Sequence, residues 1–164
     1  MNISVRYARP GDYPAVKELL RQVRAVHAEP RPDVFIPGTV KYDAAAFAAL
    51  LGDDTAPVLV AVDENDAVVG HLFCQIKDIR GNAVLRDARV LFVDDLCIDQ
   101  QHRAHGIGGL LMDEAEAMAR GIGADRIELS VWACNPTAIQ FYQNRGMTFQ
   151  KHIMEMPMKP LEKR

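Results

Sequence analysis

A chain of 164 residues, 49% apolar and 25% charged, with a formal net charge of -3, has the length and balance of one compact domain with a real core. Its mild acidity excludes the electrostatic footprint of a nucleic-acid binder. No stretch approaches the roughly 20 apolar residues that span a bilayer, and Met1-Asn2-Ile3-Ser4-Val5-Arg6 lacks the apolar run of a signal peptide, so no membrane partner and a cytoplasmic location are expected. Cys74, Cys97 and Cys134 lie far apart. They form no metal-type pair and read as reduced core thiols.

Residues 3–9 alternate and predict a first strand. Pro10-Gly11-Asp12 is a turn, with Asp12 placed to cap a helix that accepts Pro14 in its first turn. Val16, Leu19, Leu20, Val23 and Val26 carry that helix to about His27. Glu29-Pro30-Arg31-Pro32-Asp33 cannot be regular helix. Asp43 caps an alanine-rich second helix that ends at Gly52. Val58 to Val62 is a buried strand, Asp63-Glu64-Asn65-Asp66 a hairpin turn, and Ala67 to about Lys77 the returning strand. Residues 78–88 read as a polar loop, and Arg89 to Ile98 as an apolar strand interrupted by Asp94-Asp95.

An amphipathic helix starts at Ile107 and is stopped by Gly121 and Gly123. Arg126 to Trp132 alternates as a strand, Asn135 caps a helix with Pro136 at its first position, and Gly146 ends it. Met147 to Met158 is predicted as the last strand. The order implies one mixed α/β domain over residues 1–164.

The most informative segment is Arg103-Ala104-His105-Gly106-Ile107-Gly108-Gly109, which follows a strand and opens a helix. Amides at a helix start are unpaired and bind anions, and glycines let the backbone approach a phosphate. A pyrophosphate is the natural ligand. A dinucleotide fingerprint would need glycine where Leu111 stands, and the Gly-Lys-Ser/Thr ending of a P-loop is missing. A tight helix entry without a ligand is the alternative.

The run from Val93 through Asp94, Asp95, Leu96, Cys97, Ile98 and Asp99 to Gly108 resembles the acetyl-CoA motif of the GCN5-related N-acetyltransferases, a strand followed by R/Q-x-x-G-x-G/A and a helix. Asn135-Pro136-Thr137-Ala138-Ile139-Gln140-Phe141-Tyr142-Gln143-Asn144-Arg145-Gly146-Met147 is similar to the family's N-x-x-A-x-x-F-Y-x-x-x-G-F segment. Ala104 stands where glycine is common, and Met147 where phenylalanine is. The resemblance implies a mixed central sheet flanked by helices, with an acetyl-CoA slot between two splayed strands. It implies pyrophosphate on the amides of Ala104, His105, Gly106, Ile107, Gly108 and Gly109 beside Arg103, and pantetheine along Leu96, Cys97 and Ile98 like an added strand. Asn135, Ala138 and Tyr142 would border the same donor. No metal is implied.

An amine attacking a thioester needs a deprotonated nucleophile, a stabilised oxyanion and a proton for the leaving thiolate. Tyr142 is the expected acid. A phenol near pKa 10 and a thiol near 8.5 leave the transfer uphill by ~1.5 units, about 2 kcal/mol, a gap that a helix N-terminus or a shared hydrogen bond would erase. An ammonium needs a proton acceptor. Asp94 and Asp95 are neighbours on a strand, so one is expected to face the slot, and Asp94 is favoured by resemblance to small-amine acetyltransferases. The Cys97 amide is expected to support the oxyanion, with its thiol passive. Arg145 would meet a phosphate or the end of its own helix, and His102 and His105 read as solvated loop residues.

Acceptor choice falls to the segment after the first helix. His27, Glu29, Asp33 and Phe35 are candidate pocket residues whose acidic members would suit a small cationic amine; a rigid loop packing Val34 and Phe35 onto the core is the plainer reading. Acetylation of a protein N-terminus or lysine, and a non-catalytic acyl-CoA sensor, are the competing functions. A homodimer is plausible from the resemblance.

Overall fold

A computed structural model describes residues 1–159; the last five residues of the expected 1–164 domain lie outside the described residues. Five strands form one sheet in the order β1-β2-β3-β4-β5. They are β1 (Ser4–Tyr7), β2 (Val58–Val62), β3 (Val68–Ile79), β4 (Ala88–Ile98) and β5 (Arg126–Leu129). All neighbours are antiparallel except β4 and β5, which run parallel. The helices are α1 (Tyr13–Ala28), α2 (Ala44–Leu51), α3 (Ile107–Gly121) and α4 (Pro136–Asn144).

Strand alternation builds two cores, one on each face of the sheet. In β2 every residue is buried, but Val58, Val60 and Val62 pack with Val16 and Leu20 of α1 and Phe47 of α2. Leu59 and Ala61 point the other way, onto Leu111, Met112 and Ala115 of α3. Asp43 caps α2 as expected, accepting from the Ala46 amide at 2.8 Å. Asp12 does not cap α1. Its carboxylate is turned to Arg6, at 2.9 and 3.0 Å, and to the Arg9 amide, because this buried charge needs a full cationic partner more than the helix needs a cap.

Two strand expectations differ from the structure. β5 stops at Leu129 rather than Trp132, because its ladder with β4 covers only Val90–Val93 and Arg126–Leu129. The segment from Met147 to Met158 is not a strand. Residues 148–158 make no backbone hydrogen bond among the described residues. Gln150 touches β5 only through its side chain, at 2.9 Å from Glu128. An ion pair of 2.7 Å between Glu155 and Arg31 then draws the chain toward the α1–α2 connection, and Pro157 has no N–H to offer a ladder. Ile153 and Met154 are left 92% and 93% exposed.

Candidate active site

β4 outruns β5. Beyond Val93 it keeps β3 on one side but has no strand on the other, and residues 130–135 diverge from it. The gap opens into a cavity of about 330 Å3 bordered by β4, α1, the start of α4 and the segment around Trp132. The β3–β4 register slips between Phe73 and Cys74, whose partners are Asp95 and Val93, so Asp94 is the extra residue of a bulge. The bulge cancels the alternation, and Asp94 and Asp95 both border the cavity, where one alone was expected.

The two carboxylates differ in their partners. Asp94 accepts a short hydrogen bond from the Tyr42 hydroxyl and lies 3.0 Å from the Lys41 ammonium. Tyr42 stacks on Phe73 at 5.0 Å; burial first, then the Asp94 bond, pushes its phenol well above the usual range. Asp95 meets Nε2 of His71 through Oδ1 at 2.7 Å, and its Oδ2 has no hydrogen-bond partner among the described residues. His71 is fully buried, edge-on to Phe73, and its Nδ1 is unpartnered.

Tyr142 of α4 borders the same cavity. Burial, and secondarily the charge of Asp95, pushes its phenol up to about 12, so no neighbour narrows the gap to an ordinary thiol. Burial also pushes the Cys97 thiol, in the open part of β4, up to about 12.

Register also decides which β4 amides are free. The Asp99 amide donates to Val69 across the ladder, and the pairing continues unbroken through His71 and Cys97. By alternation the Cys97 amide turns toward β3 too. The amides of Leu96 and Ile98 therefore open to the slot, and Leu96 borders the cavity.

At the glycine turn, the amides of residues 103–109 have no acceptor among the described residues, which fits a phosphate-bearing ligand. Ala104 and Gly106 are both left-handed, with φ of 64° and 76°; alanine there carries strain that glycine would not. Gly108 has a packing role, since a Cβ would come within 3.3 Å of Phe141 Cζ. Arg103 holds the Ile98 carbonyl at 3.2 Å. His105 turns back on the Arg103 carbonyl and His102 on Asp99. No group of three metal-binding side chains occurs among the described residues. Asn135 caps α4 through the Ala138 amide at 3.1 Å, and both residues border the cavity. Arg145 is held by two carboxylates. It bridges Asp113 and Glu116 of α3 at 2.5 and 2.7 Å, with Nη1 3.6 Å from where a Cβ on Gly109 would lie.

Of the acceptor-side candidates, His27 and Phe35 border the cavity, whereas Glu29 and Asp33 do not. Asp33 is paired with Arg31 at 2.8 Å. His27 stacks on Phe35, and Phe35 meets Trp132 edge-on. Burial holds the His27 imidazole below its usual range, Asp95 opposing and Arg24 assisting. Arg24, Lys41, Tyr42, His71 and Trp132 were not picked out from the sequence. A lone histidine inside the apolar run of β3 was the one available signal.

The sequence matches the acetyltransferase (GNAT) family over residues 20–147. The chain belongs to that family. It is a family of acetyltransferases, and acetyl-CoA is the donor it generally uses. The chain is similar to N-alpha-acetyltransferase 60 of Danio rerio, 32% identical over 98 residues, matching 52% of this chain and 40% of that protein; it thus spans less than half of that relative. The fold superposes on a mutant BH1408 protein from Bacillus halodurans with a TM-score of 0.92, at 29% identity over 95% of this chain and 99% of that one. An aminoglycoside acetyltransferase from an uncultured soil metagenomic sample shares the fold, with a TM-score of 0.71 at 18% identity, over 96% and 95% of the two chains. The GNAT sheet with its open β4–β5 junction is the expected slot architecture, and no helix among the described residues is long and apolar enough to cross a membrane.

Proposed function

We propose that the protein is an N-acetyltransferase that moves an acetyl group from acetyl-CoA to the primary amine of a small molecule, by direct attack in a ternary complex in the cytoplasm. The observation that carries this reading is the convergence of Tyr142, Asp94 and Asp95 on one cavity at the open end of β4, a strand that leads through Arg103 into the unpaired amides of residues 104–109. Those amides receive the pyrophosphate. The pantetheine arm runs beside Leu96, Cys97 and Ile98, with Asn135 and Ala138 opposite. Of the two carboxylates, Asp94 was the expected base; its engagement by Tyr42 and Lys41 makes Asp95, with Oδ2 unengaged, the better-supported proton acceptor.

The steps then balance. The ammonium gives a proton to the carboxylate, and the free amine attacks the carbonyl carbon while the Leu96 amide supports the oxyanion. The carbon–sulfur bond breaks, Tyr142 protonates the sulfur, and the nitrogen's surplus proton returns to the phenolate. Tyr142→Phe tests this. Expected is a fall in kcat of roughly 10²–10⁴-fold in thiol release, with acetyl-CoA affinity by calorimetry retained. Full activity in the variant would remove Tyr142 as the acid, and wild-type protein that binds no acetyl-CoA would sink the reading of the glycine turn.

Acetylation of a peptide α-amine is the second reading, favoured by the likeness to N-alpha-acetyltransferase 60; peptides in the acceptor panel decide between them. A homodimer belongs to the proposal as well, supported by the exposed apolar side chains of residues 149–158, and sedimentation velocity checks it.

A further inference from the structure

We infer that the acceptor is an amine carrying its own carboxylate, an α-amino acid with an apolar or aromatic side chain. The inference rests on the acetyltransferase reading and names the substrate class of that same cavity.

It follows from the charges that border the cavity. There are four charged side chains, Arg24, Lys41, Asp94 and Asp95. Lys41 and Asp94 satisfy each other at 3.0 Å. Arg24 has no carboxylate within ion-pair distance among the described residues; its guanidinium rests over the Phe35 ring, 5.2 Å from the centroid. Asp95 uses one oxygen on His71 and leaves the other unengaged. One cation and one anion therefore face the cavity unmatched. Both border the cavity together with His27.

A ligand with only positive charge would satisfy Asp95 but leave Arg24 opposing it. Glu29 and Asp33, which would have offset it, do not border the cavity. An ammonium on Asp95 with a carboxylate on Arg24 matches both charges, and a planar guanidinium suits a carboxylate in particular. The same ammonium sits where a proton acceptor is needed.

The remaining wall selects the side chain. Leu20 and Val23 of α1, with Phe35, Val131 and Trp132, form an apolar and aromatic surface. Ser130 and Asn135 are its uncharged polar members apart from the Tyr142 phenol and His27, and Asn135 already accepts from Ala138. A hydroxyl-rich amino sugar would leave most of its hydroxyls unpaired there, whereas a leucine- or phenylalanine-like side chain would not.

The test is thiol release from acetyl-CoA with leucine and phenylalanine, their amides, phenethylamine, spermidine, an aminoglycoside, glucosamine 6-phosphate and a short peptide. Free amino acids are expected to be acetylated, with KM roughly 10- to 100-fold below that of their amides. Arg24→Gln is expected to bring the acid-to-amide KM ratio to about one, and Arg24→Lys to restore part of it. Transfer to the amides, spermidine, the aminoglycoside, the amino sugar phosphate or the peptide in preference to the free acids would overturn the inference and leave the acetyltransferase reading standing. So would an unchanged ratio in Arg24→Gln. No transfer to any amine would overturn both.

Discussion

The two halves of β4 have opposite fates. From Val90 to Val93 the strand lies between β3 and β5, hydrogen-bonded on both sides. From Asp94 to Ile98 it keeps β3 alone, and its other edge faces the slot. The closed half is scaffold, and the open half has main-chain groups left for a ligand. One strand serves both purposes because its partner is only four residues long. The short neighbour, together with the bulge at Asp94, opens that edge.

That contrast can be broken directly. Leu91 in the closed half is fully buried, and Leu91→Ala should cost about 2–5 kcal/mol of stability, read as a fall in the denaturation midpoint. Leu96→Ala, in the open half, should cost clearly less stability while raising the KM for acetyl-CoA. Equal destabilisation by the two variants would show that the open half is as much scaffold as the closed one.

The next effect separates frame from site by pH. Burial pushes the Asp12 carboxyl up, but the Arg6 guanidinium and the Arg9 amide outweigh burial and hold it below its ordinary value. A carboxylate with a depressed folded-state pKa adds stability that is present above its unfolded value near 3.9 and is lost as pH falls through the folded value. Wild-type stability should therefore drop below about pH 4, and Asp12→Asn should flatten that part of the curve while costing about 1–3 kcal/mol at pH 7. An unaltered acid limb would take Asp12 out of the account.

The smallest effect lies at the glycine turn. Ala104→Gly removes a left-handed alanine and should raise stability by about 1 kcal/mol or less, since the gain is partly offset by the freer unfolded chain. The thermal midpoint in the wild-type and variant proteins measures it, and a lower midpoint in the variant would mean that the alanine is unstrained.

What could be read from the sequence follows the range of the forces. Helices α1, α3 and α4 and the glycine turn are written in local periodicity and capping, and they formed where the sequence placed them. The end of β5, the bulge at Asp94 and the fate of residues 147–158 depend on which backbone lies alongside, and no local pattern encodes that. The same limit governs the site. Tyr142 and the turn came from a contiguous motif, but the difference between Asp94 and Asp95 is set by Tyr42, Lys41 and His71, which arrive from elsewhere in the chain. Glu29 and Asp33 looked like pocket acids because they follow His27, yet Arg31 claims Asp33 before any ligand can.

The uncovered C-terminal segment has a chemical consequence. Met154, Met156 and Met158 are 93%, 82% and 87% exposed, while Met112 is sealed at 2% beneath the sheet. Thioether sulfurs in water are open to peroxide, and each sulfoxide formed there adds a polar group to a side chain that packs against little. The C-terminal segment thus carries three oxidisable sulfurs outside the cores, where the reaction disturbs no core packing, while the sulfur of Met112 in α3 stays beyond the oxidant's reach.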